Sequence, residues 1–383
     1  MYKWPLNVNN FSFLDRCKIA CFILNGNNRW TQGDRVDKFE KEFADYVGTE
    51  YSVFVSSGST ANTAIAMYLK DNVYAPNKRK IIFPSTTWIT SISPFIREGF
   101  EPVFVDVSLD DFALDLDLVN QYLLENDDVA AIFPTSLLGF VPDVDKLLDI
   151  SESYNVKVMM DNCENTFGEF NNKNISSFFT STTSTYFGHQ LQSVEGGFIF
   201  TNCPKEYEYF RMVRNHGMTR SVSNSSDYEN CLVDSRFDFS ILGNNFRNTN
   251  INAFIGSIDL NKRSRYICKR EELYQLFTRN LDSDKFLLPK NFDNRKHIPF
   301  SLPLISKDEH KKRLILDYCE INGIETRPII SGNLLRQTCF QKYANYKNFR
   351  NSEFLNNNGL YVGLYPTLNK SLLLELLKFV NTI

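Results

Sequence analysis

The chain has 383 residues, 43% of them apolar and 14% aromatic, which is enough for two or three structural domains around a sizeable core. A net charge of −3 gives no electrostatic reason to expect a nucleic acid or an anionic membrane as partner. The eight cysteines form no CxxC pair, which argues against a metal site, an iron–sulfur cluster or a disulfide framework.

The N-terminal residues lack the apolar core of a signal peptide. The longest apolar stretch, 129–141, contains Pro134 and Gly139 and is too short to span a bilayer. We therefore expect a soluble, cytoplasmic protein without a membrane partner.

The first strong periodic pattern is an amphipathic helix before residue 48. Apolar residues recur at helical spacing from Val36 to Val47, and Gly48 stands where a C-terminal cap belongs. We interpret this helix as a packing element.

From about residue 50 to 160, short apolar runs alternate with segments of helical periodicity. The runs predict strands at 51–56, 81–83, 102–106, 130–133 and 156–160. The intervening segments predict helices at 59–70, 87–97, 115–125 and 143–154. Strands that are apolar on both faces and alternate with helices indicate an α/β fold with a mostly parallel sheet.

After about residue 260 the pattern changes. A charged helix at 261–276 precedes an apolar run at 298–305, another helix and a second run at 324–329. We predict a large domain, 1–258, which includes the N-terminal segment, and a small α+β domain, 259–383.

A small, hydroxyl-rich segment, 56–62 (Ser-Ser-Gly-Ser-Thr-Ala-Asn), lies between the first strand and the following helix. Gly58 permits close backbone approach, and the free amides of a helix N-terminus suit a phosphate. Taken alone, an ordinary helix cap is the commoner explanation.

Asp161 ends an apolar strand, at the edge of a parallel sheet where ligands bind. A carboxylate there can pair with a protonated ring nitrogen, but a helix-capping role is about equally compatible with the sequence. Farther on, a polar segment leads to His189 and then to 195–197 (Glu-Gly-Gly). A lone histidine is more often structural than catalytic, so spacing alone does not assign it a role.

Taken together, these segments resemble the DegT/DnrJ/EryC1/StrS sugar aminotransferase family of the pyridoxal-phosphate type I fold. The matching motifs are 58–61 (Gly-Ser-Thr-Ala), 161–164 (Asp-Asn-Cys-Glu), 184–197 and 243–247 (Gly-Asn-Asn-Phe-Arg). They stand in the family order, and the resemblance runs from about residue 25 to the C-terminus. It implies an aspartate aminotransferase-like fold and a homodimer whose active site is shared across the interface.

The most informative departure is at His189, which occupies the position of the family's cofactor-binding lysine. Histidine cannot hold pyridoxal phosphate covalently, but it can move protons near neutral pH. With histidine at this position, the chain resembles the 3-dehydratase branch of the family. This resemblance implies pyridoxamine-phosphate-dependent removal of the 3-hydroxyl from a nucleotide-linked 4-keto-6-deoxy sugar, with L-glutamate recycling the cofactor. GDP is favoured over CDP, and the sugar is a hexose or a heptose.

Three further positions depart from related patterns. Gln190 stands where the branch usually has a second histidine, and Asn250 replaces a usual glutamate. Relatives with an iron–sulfur cluster carry a cysteine-rich loop, but the corresponding residues 220–238 contain only Cys231. Because a cluster needs about four thiolate ligands, we expect no iron–sulfur cluster.

The resemblance implies roles for individual residues. His189 is the catalytic base, and Asp161 pairs with the pyridine nitrogen. The remaining expected cofactor contacts are Gly58, Ser59, Thr60, Trp88, Glu164, Ser184 and Asn245 of the partner subunit. The expected substrate or amino-donor contacts are His216, Arg220, Arg327 and Asn333. For Trp88 a core position is a serious rival, and for the arginines a solvated surface position is the commoner outcome.

Two alternatives remain open at this stage. One is a pyridoxal-phosphate-dependent aminotransferase that uses another lysine; Lys173 is the nearest, although it lies in a polar turn and out of register. The other is a non-catalytic relative that binds a ligand.

Overall fold

The computed structural model describes residues 2–222 and 233–383. In these ranges the α-helices are α1 (Phe13–Leu24), α2 (Asp34–Val47), α3 (Gly58–Asn72), α4 (Ser93–Arg97), α5 (Leu116–Glu125), α6 (Val144–Tyr154), α7 (Pro204–Arg214), α8 (Asn250–Leu260), α9 (Arg263–Asn280), α10 (Glu309–Asn322), α11 (Arg350–Asn358) and α12 (Lys370–Thr382). The strands are β1 (Tyr51–Val55), β2 (Lys80–Pro84), β3 (Glu101–Val105), β4 (Val129–Ile132), β5 (Lys157–Asp161), β6 (Glu169–Phe170), β7 (Lys173–Asn174), β8 (Thr180–Ser184), β9 (Gly197–Thr201), β10 (Phe286–Leu287), β11 (Arg295–Lys296), β12 (Ser301–Ser306), β13 (Thr326–Pro328) and β14 (Gly359–Gly363).

A seven-stranded sheet forms the centre of the described part of the chain, in the order β1-β9-β8-β5-β4-β2-β3. The pairs from β8 through β3 are parallel, whereas β9 is antiparallel to both of its neighbours. The five strands expected before residue 161 are therefore confirmed, as is the mostly parallel sheet. Since β5 and β8 are parallel neighbours, Asp161 and Ser184 end their strands at the same edge.

The prediction of a single helix over 87–97 was wrong about its length. The structure has a 3-10 turn at Ile89–Ser91 and only the short α4 after it. Pro94 has no amide hydrogen and belongs in the first turn of a helix, so α4 begins just before it rather than continuing from residue 87. Trp88 is left in extended backbone before the turn.

The expected packing helix is α2, and Gly48 caps it with a φ of +84°. Phe39 and Phe43 from α2 pack edge-on against Phe198 of β9. These contacts anchor β9, the antiparallel strand that follows the loop with His189.

A second, antiparallel sheet in the order β10-β12-β14-β13 packs with α10, α11 and α12 around its own apolar core. Trp4 is fully buried in that core, and its indole nitrogen donates a hydrogen bond to the carbonyl oxygen of Gly363 at 2.9 Å. The N-terminal segment therefore packs on the C-terminal sheet. A domain boundary near residue 258 stays a prediction.

A small third sheet contains the hairpin of β6 and β7. Its turn has Asn171 and Asn172 at positive φ, the arrangement typical of a tight two-residue hairpin. In residues 2–222 and 233–383, no helix is both long and apolar enough to cross a membrane. Cys231 lies outside the described residues.

Candidate active site

A cavity of about 750 Å³ opens at the edge of the central sheet where β5 and β8 end. Asp161 and Ser184 line it from that sheet, and Arg327 and Tyr361 line it from the C-terminal sheet. It therefore lies at the carboxyl ends of parallel strands, the usual ligand site of an open α/β sheet.

Asp161 is held in place by a set of hydrogen-bond donors. It is 3% exposed, and its Oδ2 accepts from Asn62 Nδ2 at 2.8 Å and from Ser91 Oγ at 2.7 Å. Its Oδ1 accepts from the amide of Cys163 at 2.9 Å. An ionised carboxylate only accepts hydrogen bonds, so these donors fit the charged form and aim it into the cavity.

The N-terminus of α3 borders the cavity beside Asp161. Ser57 and Thr60 form a capping box, in which each side chain accepts from the backbone amide of the other. The hydroxyl of Thr60 also donates to the carbonyl of Ser57 at 2.9 Å, so Thr60 serves the helix cap and does not line the cavity. Gly58 and Ser59 do line it, beside the first amides of a 15-residue helix.

Two glycines make this corner of the cavity tight. A Cβ atom on Gly58 would lie 2.8 Å from Cys163 Sγ and 3.0 Å from Ser184 Cβ. A Cβ on Gly197 would overlap the backbone of Ser57 and Gly58. Strand β9 therefore approaches the helix N-terminus more closely than any larger residue permits.

His189 lies on the loop between β8 and β9 and lines the cavity. Its ring contacts Phe300 and Tyr186, with ring centroids 5.5 and 6.2 Å apart, respectively. Burial lowers the pKa of His189 to about 4, a fall that Asp161 partly opposes, so the imidazole is neutral at physiological pH. Its Nδ1 is buried and has no hydrogen-bond partner within the described ranges.

Glu164 is a buried carboxyl that lines the cavity near Asp161. Its Oε2 accepts from the amide of Leu138 at 2.7 Å. Burial raises the pKa of Glu164 to about 8; the hydrogen bond from Leu138 lowers it, and the charge of Asp161 adds to the rise. At neutral pH this carboxyl is therefore mostly protonated and can donate a hydrogen bond.

Trp88 and Arg327 stand at more open positions of the cavity wall. Trp88 is 54% exposed, so it is not a core residue, and its ring is free to stack on a ligand. Arg327 donates to Glu325 Oε1 at 2.9 Å and to the carbonyl of Thr326 at 3.0 Å. Half of its side chain stays exposed at the cavity.

Besides Thr60, four of the expected residues do not line the cavity. Asn333 is buried, and its amide donates to Glu353 and the carbonyl of Tyr346 while it accepts from Leu335, so it caps the 3-10 turn Leu334–Arg336. The remaining three are Asn245, His216 and Arg220.

Asn245 and His216 meet on an exposed surface, through Arg247. Arg247 donates to Asn245 Oδ1 at 2.9 Å, and its Nη2 lies 3.3 Å from His216 Nε2. Arg220 is exposed and its guanidinium lies over the ring of Phe237 at 5.8 Å. These residues therefore lie on a surface outside the cavity of this chain.

The two departures at Gln190 and Asn250 have structural explanations. Gln190 is fully buried; it accepts from the amide of Thr166 at 2.9 Å and donates to the carbonyl of Ile298 at 2.5 Å. Asn250 accepts from the amide of Val36 and donates to the carbonyl of Arg29. Both side chains are therefore used to hold the backbone.

Within the described residues, no lysine lines the cavity. Lys173 lies on the exposed hairpin of β6 and β7. Sequence reasoning gave no role to Asn62 and Ser91, which hold Asp161, or to Tyr361. Asn62 could have been found from the sequence, because it is a polar residue on the apolar face of α3. Tyr361 gave no such signal, since it lies in an apolar run.

Comparisons with known proteins agree with this geometry. A family model for the DegT/DnrJ/EryC1/StrS aminotransferase family matches residues 20–378. GDP-4-keto-6-deoxy-D-mannose 3-dehydratase from Escherichia coli O55:H7 is 28% identical over 375 residues, which cover 95% of each chain.

Two solved structures are similar over almost the whole chain. One is the Escherichia coli GDP-4-keto-6-deoxy-D-mannose 3-dehydratase with bound hydrated pyridoxal phosphate, with a TM-score of 0.90 and 27% identity. The other is a GDP-4-keto-6-deoxymannose 3-dehydratase with a trapped adduct of pyridoxal phosphate and glutamate, with the same TM-score and identity. Each match covers 99% of this chain and 100% of the other. The expected pyridoxal-phosphate type I fold is confirmed.

Proposed function

Because this chain belongs to the DegT/DnrJ/EryC1/StrS aminotransferase family, and because His189 rather than a lysine faces its cavity, we propose that it is a pyridoxamine-phosphate-dependent sugar 3-dehydratase. The substrate is a GDP-linked 4-keto-6-deoxy sugar, and L-glutamate is the amino donor. The sugar loses one oxygen atom from C3. That oxygen balances the one gained when glutamate becomes 2-oxoglutarate, and the nitrogen leaves as ammonia.

The residues of the cavity fit a pyridoxamine phosphate. The imidazole of His189 and the fixed carboxylate of Asp161, which both line the cavity, are the polar groups that its ring and amine need. The narrow corner at Gly58, next to the amides of α3, suits a phosphate. When bound, this cofactor supplies an amine that can condense with the sugar ketone and a ring that accepts electrons.

The positions of these residues indicate what each one does with the bound cofactor. Asp161 holds the proton on the pyridine nitrogen, which keeps the ring a strong electron acceptor. Ser59, Ser184 and the amides after Gly58 hold the phosphate. The protonated Glu164 donates to the phenolic oxygen of the ring, a role open to it because its pKa is raised to about 8.

His189 moves the protons. Its pKa of about 4 means that the ring is neutral at pH 7 and can accept a proton from the carbon that bears the cofactor's amine. The resulting imidazolium would be an acid that can return a proton to the departing 3-hydroxyl. Asp161, already within electrostatic reach, stabilises the charge that the ring gains.

Trp88 contributes to holding the cofactor, and Arg327 contributes to binding the substrate or the amino donor. Trp88 stacks on one face of the bound ring system, and Arg327 grips a diphosphate or the carboxylate of glutamate with its exposed guanidinium edge. Asn245 and His216 act in the neighbouring subunit's cavity, which makes a homodimer necessary for activity.

The rival function is aminotransfer with a lysine-bound cofactor, which the family as a whole favours. Reduction with borohydride in the presence of pyridoxal phosphate separates the two functions. We expect no peptide to carry reduced cofactor in the wild type, whereas His189→Lys acquires it at residue 189. Cofactor trapped on any lysine of the wild type would refute the dehydratase proposal.

A further inference from the structure

The N-terminal strap, residues 3–9, crosses the C-terminal sheet and ends at the mouth of the cavity. The amide of Trp4 donates to the carbonyl of Gly323, and the amide of Glu325 donates to the carbonyl of Trp4 at 2.8 Å. A Cβ on Gly363 would collide with the carbonyl oxygens of Pro5 and Leu6. The strap is therefore seated on the sheet in a fixed register before it reaches the cavity.

Asn7, which lines the cavity, connects the strap to the loop that carries His189. Its Nδ2 donates to the carbonyl oxygen of Phe187 at 2.7 Å and to that of His189 at 3.3 Å. Its Oδ1 accepts from the amide of Val8 at 2.9 Å. Since only the amide nitrogen can face two carbonyls, the orientation of this side chain is fixed at both ends.

The strap also contacts the other functional parts of the cavity. The carbonyl of Val8 accepts from Gln192 Nε2 at 3.0 Å, so the strap holds the far end of the same loop. On the opposite side, the amide of Leu6 donates to Glu325 Oε2 at 3.0 Å, and Glu325 Oε1 accepts from Arg327. Three consecutive strap residues thus link the His189 loop to Arg327.

The loop needs such support. Val194, which follows His189, has a φ of +72°, a strained conformation for a β-branched residue. The ring of His189 has no hydrogen bond from its Nδ1 within the described chain, so its direction depends on its backbone and on contact with Phe300 and Tyr186. A shift of the backbone would therefore move the base directly.

We propose that Asn7 is a positioning residue that fixes His189 for proton transfer by donating hydrogen bonds to the carbonyls of residues 187 and 189. This inference rests on the proposed function, because it assumes that His189 is the base. It gives the N-terminal strap a role in the reaction. The same strap contacts both the loop that carries His189 and Glu325, the partner of Arg327, so the positions of His189 and Arg327 depend on each other.

The test compares Asn7→Ala and Asn7→Asp in the full-length holoenzyme. Asn7→Asp keeps the size of the side chain and its acceptor for Val8, but it loses the donor. Loss of the donor lowers kcat by about fivefold in Asn7→Ala, and by more in Asn7→Asp because its carboxylate is repelled by the two carbonyl oxygens, with KM little changed in both. Asn9→Ala is the matched control, since Asn9 accepts only from the amide of Phe11 and does not touch the loop.

Amide hydrogen exchange of the loop provides a second readout that needs no substrate. We expect the amides of residues 187, 189 and 193, which donate within the loop, to exchange faster in both Asn7 variants and at the wild-type rate in Asn9→Ala. An Asn7→Asp protein with wild-type kcat and exchange would overturn the inference, because side-chain volume would then suffice. If the wild type dehydrates no sugar, the proposed function fails, while the exchange data still decide whether Asn7 holds the loop.

Discussion

His189 and Glu164 lie in the same cavity, and burial drives both toward their neutral forms. The pKa of the histidine falls to about 4, and that of the carboxyl rises to about 8. Asp161 lies beside them and accepts hydrogen bonds from Asn62, Ser91 and Cys163. One corner of the molecule therefore offers a neutral base and a neutral acid at pH 7, beside a carboxyl group that three donors hold in place.

Substitution of His189 tests the base. His189→Asn keeps a polar side chain but cannot carry a proton, and we expect the rate of dehydration to fall by about 10²- to 10⁴-fold. His310→Asn, on the exposed side of α10, is the control and should retain full activity. The measurement compares steady-state rates, with thermal unfolding curves to show that each variant is folded. Full activity in His189→Asn would contradict the role of His189 as the base.

The neutral state of Glu164 is testable through stability. In the folded apoprotein its pKa is about 8, against an ordinary value of 4.5. Between these pH values the unfolded chain loses this proton and the folded chain keeps it, so stability falls as pH rises through that window. Glu164→Gln is neutral at every pH and is spared this loss.

We therefore expect Glu164→Gln and the wild type to have similar free energies of unfolding at pH 4.5. The variant should gain on the order of a few kcal/mol by pH 8, with little further change above it. Urea unfolding of the apoproteins across this range measures the difference. A difference that does not vary with pH would show that Glu164 is ionised when folded.

Several residue roles could not be read from the sequence. Thr60 and Asn333 have the right chemistry for ligand binding, but the structure uses their side chains to cap a helix and a turn. Whether a capping residue also faces a cavity depends on neighbours that are distant in sequence. Asn7 carried no signal, because its partners lie about 180 residues away.

At the scale of elements, apolar periodicity predicted β1 to β5 and most of the helices between them, because each strand is a short apolar run bounded by polar turns. It failed at 87–97, where Pro94 interrupts a helical pattern. It also gave no strand at 180–184, since the residues of β8 are serine and threonine whose hydroxyls find partners inside the molecule. Whether a buried hydroxyl group finds a hydrogen-bond partner depends on residues that are distant in the sequence.

The close approach of β9 to the N-terminus of α3 gives a prediction for these two elements. In Gly197→Ala the added methyl group overlaps the backbone of Ser57 and Gly58, so we expect a loss of about 1–3 kcal/mol in the free energy of unfolding. Weaker binding of pyridoxamine phosphate should accompany it. Gly26→Ala meets no atom within 4 Å and is the control. Unchanged affinity and stability in Gly197→Ala would argue against a tight cradle.

At the scale of the whole molecule, the exposed group of Asn245, His216 and Arg247 lies outside the chain's own cavity. If it completes the cavity of a second copy, two inactive proteins should complement each other. His189→Asn subunits supply Asn245, and Asn245→Ala subunits supply His189, so each mixed dimer contains one intact site. About a quarter of the wild-type activity is expected after mixing and exchange of subunits, and no recovery would contradict a shared site.

The most direct test of the proposed reaction is mass spectrometry of the sugar nucleotide after incubation with the pure protein. The mixture contains pyridoxamine phosphate, L-glutamate and GDP-4-keto-6-deoxymannose. We predict that the sugar nucleotide loses one oxygen atom while 2-oxoglutarate and ammonia form in equal amounts. A product that has instead gained an amino group, with no ammonia released, would make the protein an aminotransferase and contradict the role assigned to His189.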